Sequence, residues 1–395
     1  MNMEREIDGQ RRDGIDGQRR EDIAALRRRF AEAKARRAPW ESLWQDCYDF
    51  ALPTRAGTGP NNAERLYDGT APDAVDQLAA ALLAQLTPPW SRWLGLAPGS
   101  AVPDAARGEL AAILDRASAA LQAEFDRSNL AVEIHQCFLD LVTAGTACLS
   151  FEEAGLGEPS AFRFAAVPLN EAVLEEGAQG RLDVTFRRSE PNLAQLRARF
   201  PGANLDTDLL ARAEREPDAR FAVLELVEPH QHDFRYVALL EEGDEDAAVL
   251  AQGRFPHSPF INFRWQKAPG EVWGRSPVMK ALPDIRTANK VVELVLKNAS
   301  IAVTGIWQAD DDGVLNPANI KLVPGAIIPK APGSSGLTPL QAPGRFDVSQ
   351  LVLDDLRARI RSALLTDRLT QADSPAMTAT EVLARGDAVA RLLGA

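Results

Sequence analysis

One stretch constrains this chain more than any other. Between Ser276 and Val303, apolar or small residues fall at Val278, Leu282, Ile285, Val292, Leu296, Ala299 and Val303, and Asn289 fills the single gap. The spacing alternates four and three. That is a heptad seam, and it predicts one long helix packed along its length on neighbouring helices. At 1.5 Å per residue the stretch would span about 40 Å. Ser276 suits the cap and Pro277 the first helical position. Pro283 predicts a kink, or a start just after it. The opposite side carries Arg286, Lys290, Glu293 and Lys297. Lys290 and Lys297 stand off the seam and suit either the lining of a bore or a solvated outer face. Packing within one chain satisfies the seam, but packing between copies in a ring explains its length better.

Around this helix the pattern divides the chain. Residues 1–20 hold IDGQRR twice and almost nothing to bury, which predicts a disordered, charged leader. Residues 21–50 show helical spacing at Ile23, Leu26, Phe30 and Ala33, and again at Trp40, Leu43, Trp44 and Cys47. Pro39 predicts a kink or a new first turn. Further helices are expected over 72–86, 104–129 and 132–144, the last ended by Gly145. From about 148 to 265 short alternating runs dominate: 148–153, 162–167, 182–187, 221–227, 234–240, 248–251 and 260–265. Helical pieces near 192–200 and 206–215 interrupt them. The fold class is therefore α+β, mostly helical. Beyond the long helix the pattern predicts strands at 305–308 and 320–329, a turn at 310–313, a helix over 347–365, a polar loop and a last helix from Thr378. That helix opens on a Thr378–Glu381 capping box.

Charge and cysteine narrow the function. Lys and Arg number 44 against 56 Asp and Glu, a net charge of −12. A free-standing sequence-specific DNA binder needs a basic surface, so this balance argues against one, though not against a protein that surrounds DNA. Residues 202–254 carry 13 acidic and 5 basic residues, most of the excess. Cys47, Cys137 and Cys148 fit neither a disulfide framework nor a zinc pair and are expected as buried apolar residues. No apolar run is long enough to span a membrane.

No phosphate-binding GxxxxGK[ST], no nucleophile elbow and no HExxH occurs. His230 and His232 sit two apart on an expected strand, facing one way, with no third ligand marked. No catalytic residue, metal ligand or cofactor is nominated. Residue patterns alone reach a soluble α+β assembly protein. They leave open a ring-forming connector, an unrecognised α+β enzyme such as a nuclease or hydrolase, or a monomeric helical scaffold or adaptor.

Three sets of motifs go further. The first is Pro39-Trp40-Glu41-Ser42-Leu43-Trp44 with Tyr48 and Pro53, then Leu66-Tyr67-Asp68-Gly69-Thr70-Ala71, then Leu86-Thr87-Pro88-Pro89 with Trp93. The second is Arg264-Trp265, Gly274-Arg275-Ser276-Pro277 and Ala281-Leu282-Pro283-Asp284-Ile285. The third is Met377-Thr378-Ala379-Thr380-Glu381-Val382 with Arg385. In order and spacing the chain resembles the head-to-tail connector (portal) proteins of short-tailed, T7-like phages. The resemblance implies a subunit with wing, stem helices, a β-containing clip and a crown. Such subunits form a dodecameric ring at a capsid vertex, through which double-stranded DNA passes without sequence specificity. It implies the large terminase, major capsid and scaffold proteins and a head–tail adaptor as partners, no membrane, a virion location, and the bacterial host cytoplasm during assembly. On this likeness residues 21–190 are a helical and β wing region, 191–265 an acidic clip-like region, 266–303 the stem helix, and 304–395 further wing, helix, channel loop and a short last helix. The channel loop is Thr370, Gln371, Ala372, Asp373, Ser374, Pro375 and Ala376. Relatives continue beyond the last motif into the crown, so the likeness predicts a crownless form, as in a degenerate prophage or gene-transfer particle.

Overall fold

The computed structural model describes residues 2–53, 65–89, 91–203, 205–216, 218–241, 249–304, 307–309, 337–339 and 346–369. The first helix, α1, runs Asn2–Ala51 and carries Pro39 inside it without ending there. Here the structure departs from the expected disordered leader, because residues 2–20 are the first turns of α1. Arg, Gln and Glu lose little rotamer freedom in a helix. A polar run joined to an established helix extends it without a new nucleus.

Helices α2 (Thr70–Leu86), α3 (Asp104–Arg127) and α4 (Leu130–Ala144) follow as the periodicity predicts. Gly145, at φ +78°, ends α4 in the left-handed region. Strands β1 (Thr146–Glu153) and β2 (Phe162–Val167) form an antiparallel hairpin, and β8 (Phe260–Arg264) pairs on the other edge of β1.

Five strands form a second antiparallel sheet in sequence order: β3 (Ala172–Glu175), β4 (Val184–Ser189), β5 (Val223–His230), β6 (Asp233–Leu240) and β7 (Val249–Phe255). The short strand β3 escaped the sequence reading, since four residues are too few to show alternation. Leu224 pairs with Leu239 and Leu226 with Val237. These face α1, where Ile23, Leu26, Phe30 and Ala33 pack against them. The other face holds Val223, Ala238 and Leu240. Leu196 of α5 (Leu193–Arg199) fills that core, with Leu209 of α6 (Thr207–Arg215) against its edge. This sheet cuts across the 190/191 boundary, because β4 pairs with β5 while β8 leaves for the other sheet. Strand partners are chosen across the chain by buried faces, and local composition does not report them. The His pair is corrected too. His230 ends β5, but His232 lies in the two-residue turn beside Gln231 (φ 59°), so the two share no strand face.

The basic residues near the start serve this packing. Arg29 reaches Glu175 and Glu228 at 2.7 and 2.6 Å. Arg37, buried, donates to the carbonyls of Leu169, Asn170 and Ala172. All three cysteines are buried, and burial pushes the Cys47 and Cys148 thiols up to about 12.

Helix α7 (Pro277–Thr304) is the predicted long helix. Strands β9 (Trp307–Ala309) and β10 (Leu337–Pro339) pair antiparallel, and α8 (Phe346–Ala363) and α9 (Thr366–Leu369) complete the described chain. The strand expected at 320–329 and the turn at 310–313 lie outside the described residues. So do the channel loop Thr370–Ala376 and the helix from Thr378.

Candidate functional site

Helix α7 starts where two glycines cross. Gly145 and Gly274 pack backbone to backbone, and a methyl group on either would land on the other's carbonyl. Neighbouring atoms are stitched around them. Gly274 N–H donates to Thr146 Oγ1 at 2.9 Å, and Trp265 N–H to the Gly145 carbonyl at 2.9 Å. Ser276 caps α7 as predicted, because its Oγ accepts from Met279 N–H at 2.9 Å while donating to the Thr143 carbonyl at 2.8 Å. The Gly-Arg-Ser-Pro motif is thus the joint that aims α7 off the α4–β1 corner.

The seam then divides. Val278, Leu282 and Ile285 are buried with Ala281 and Ala288 in the core shared by α2, α4 and α8. Val292 and Ala299 are half-buried, but Leu296 is 52% exposed and Leu294 is as open. The side chain of Val303 lies outside the described residues. Ala363 and Leu365 stand beside Ser276–Lys280, and Arg359 pairs with Asp284 at 2.9 Å, so α8 runs antiparallel to α7. Leu351 and Val352 of α8 are also exposed.

Asn289 has a purpose that periodicity did not show. Its Oδ1 accepts from the N–H of Tyr67 (2.6 Å) and Asp68 (3.1 Å), and its Nδ2 donates to the Arg65 carbonyl at 3.0 Å. Asp68 in turn accepts from Thr70 N–H at 3.0 Å and from Arg357 Nε at 2.9 Å. The Leu-Tyr-Asp-Gly-Thr-Ala motif therefore ties α2, α7 and α8 together. Burial pushes the Asp68 carboxyl up, but the bonds from Thr70 and Arg357 outweigh it and hold it below the ordinary carboxylate range. Its stabilisation is full above the unfolded-state value and is lost as pH falls through the folded one. Replacing Arg357 by Met should cost about 1–3 kcal/mol at neutral pH and weaken the acid limb of the unfolding curve. An unchanged denaturation midpoint at pH 7 would show the pair to be incidental.

Lys290 and Lys297 are exposed, and both grip Glu293, Lys290 at 2.9 Å. They are not free cations. The acidic carboxylate between them leaves one net positive charge across the three side chains. Among the described residues, no three His, Cys, Asp or Glu come together to hold a metal, and no helix is long and apolar enough to cross a membrane.

The exposed side chains of Leu294, Leu296, Leu351 and Val352 thus stand away from the root that the motif residues lock. The sequence profile of the family described as "Bacteriophage head to tail connecting protein" matches residues 24–395. The chain belongs to that family. A probable portal protein of Bordetella phage BPP-1 is 24% identical over 399 residues, covering 93% of this chain and 69% of the relative. The portal protein of Escherichia phage T7 is 22% identical over 372 residues, covering 89% and 67%. A solved chain from the virion of native gene transfer agent (GTA) particle aligns over 87% of this chain and 79% of its own length, at 12% identity and TM-score 0.35. This connector is a phage portal, a structural protein of the virion that joins head to tail.

Proposed function

We propose that α7 and α8 are the stem of the subunit and that their open end packs on the neighbouring copy in a closed, dodecameric ring. The observation that supports this is the seam itself. Its first half is filled by the chain's own core, and its second half keeps the same spacing with Leu296 exposed. A clip carried at the end of paired stem helices lies between them in chain order. The clip is then residues 305–345, with β9 and β10, rather than the 191–265 segment, whose strands are shared between the two sheets. The sheet packed on α1 belongs to the wing.

Double-stranded DNA passes through such a ring. The clip faces the large terminase during packaging and a head–tail adaptor afterwards. The wing meets capsid and scaffold proteins as the ring assembles in the host cytoplasm. A net charge of −12 suits a sleeve that must not hold DNA, since every phosphate contact slows sliding. With Glu293 between them, Lys290 and Lys297 add little grip. The loop Thr370–Ala376 follows the stem in the order that places it at the channel. Deleting Asp373–Ala376 then leaves ring mass unchanged apart from the missing residues and lowers the DNA retained in particles; full retention would remove the loop from the channel. The ring itself is tested by native mass spectrometry with negative-stain images. A closed ring with a central hole is expected, and a monomer at all concentrations would overturn the reading.

A further inference from the structure

The second feature the fold leaves uncovered is at the other end of β1. The β1–β2 hairpin turns through residues 154–161, with Gly157 at φ +96°, and puts Leu156 fully in solvent at its tip. Glu153 and Glu158 flank it, both exposed. The root is held. Ser160 Oγ donates to the Glu124 carbonyl at 2.8 Å and Ala161 N–H to Glu124 Oε2 at 3.0 Å. An anchored hairpin carrying one apolar side chain between carboxylates has the form of a peg.

A matching socket lies at the root of α7. A cavity of about 510 Å³ opens there, floored by Leu43, Trp265, Met279 and Leu365 and rimmed by Arg275 and Lys280. It is the size of sites that hold a small molecule or several side chains, on the order of 300–1,000 Å³. Arg275 shares its charge with Glu271 at 2.8 Å, and Lys280 makes no ion pair among the described residues. Apolar floor and cationic rim complement apolar tip and anionic flanks.

The two cannot meet within one subunit. β1 begins at Thr146, beside the Gly145–Gly274 crossing next to Arg275, and runs away from it for eight residues. At about 3.3 Å per residue the tip stands roughly 25 Å from the socket. A peg and a socket at separate places on one subunit make a head-to-tail contact, the kind that closes rings. We infer that the Leu156 hairpin tip of each copy inserts into the Leu43–Trp265–Met279–Leu365 socket of the next. This rests on the ring proposed above and adds a second intersubunit contact, away from the stem.

The test is a Gly155→Cys, Gln266→Cys double variant, which keeps Leu156 and Lys280, treated with a short bis-maleimide. Both positions are exposed, so folding is untouched, and the three native cysteines are buried. A covalent ladder rising past the dimer on a denaturing gel is expected, with each single variant giving no more than dimers. Rings in the wild type together with double-variant rings that give no ladder would overturn the peg and leave the ring standing. A wild type that forms no ring would overturn both.

Discussion

Leu296→Asp should yield a folded monomer that does not close into a ring. Leu296 is already half in solvent within its own subunit, so a carboxylate there changes monomer stability by about 0.5 kcal/mol or less. On a seam between copies the same carboxylate would be buried without a partner. A cost of about 3 kcal/mol per contact is modest for such burial, and it weakens each contact on the order of a hundredfold. In a closed ring every subunit carries the defect. Leu282→Asp supplies the contrast. It lies two heptads earlier on the same seam, but at 4% exposure inside the core. It should unfold the subunit, at a cost of about 5 kcal/mol or more. Circular dichroism and native mass spectrometry together read both variants. A Leu296→Asp chain that still assembles fully would place the stem's open face away from the neighbour.

Gly274→Ala and Gly145→Ala should be the two most damaging glycine-to-alanine changes in the described chain. At Gly274 the new Cβ would strike the Gly145 carbonyl, and Gly145 cannot retreat because its carbonyl is held by Trp265 N–H. Both partners are backbone, so no side chain can swing aside. Gly145→Ala adds left-handed strain of about 1–2 kcal/mol to the reciprocal clash. Each change should cost about 3 kcal/mol or more, read as a fall in the denaturation midpoint. Ring yield should fall with it, because the crossing sets the angle at which α7 leaves the body. Alanine at Gly69, where a Cβ meets nothing within 4 Å, is the control and should move the midpoint little. A midpoint unchanged by Gly274→Ala would mean that the crossing relaxes freely.

The helices were readable because their signals are local. Val75, Leu78 and Leu82 share one face of α2, Gly145 ends α4, and Ser276 with Pro277 opens α7, each within a few residues. Most strands were readable for the same reason. Strand partners were not. β4 joins β5 across two helices, and no residue in either strand names the other. The 190/191 boundary falls within one sheet for that reason, since an acidic, strand-rich segment looks separate until its pairing is known.

The site follows the same division. Heptad spacing alone determined that α7 is one long helix with a continuous apolar stripe, because side chains at three and four residues stack on one face. Which half of that stripe the chain buries, and which half it leaves exposed, was decided only by where α2, α4 and α8 stop covering it. The motif residues behave alike. Sequence marked Asp68, Gly274 and Asn289 as positions of interest. Only the fold brought Asp68 to Arg357, Gly274 to Gly145 and Asn289 to the backbone of residues 65–68. Those contacts join residues more than a hundred positions apart. Their energy comes from excluding water and matching polar groups in three dimensions, which a one-dimensional pattern does not carry.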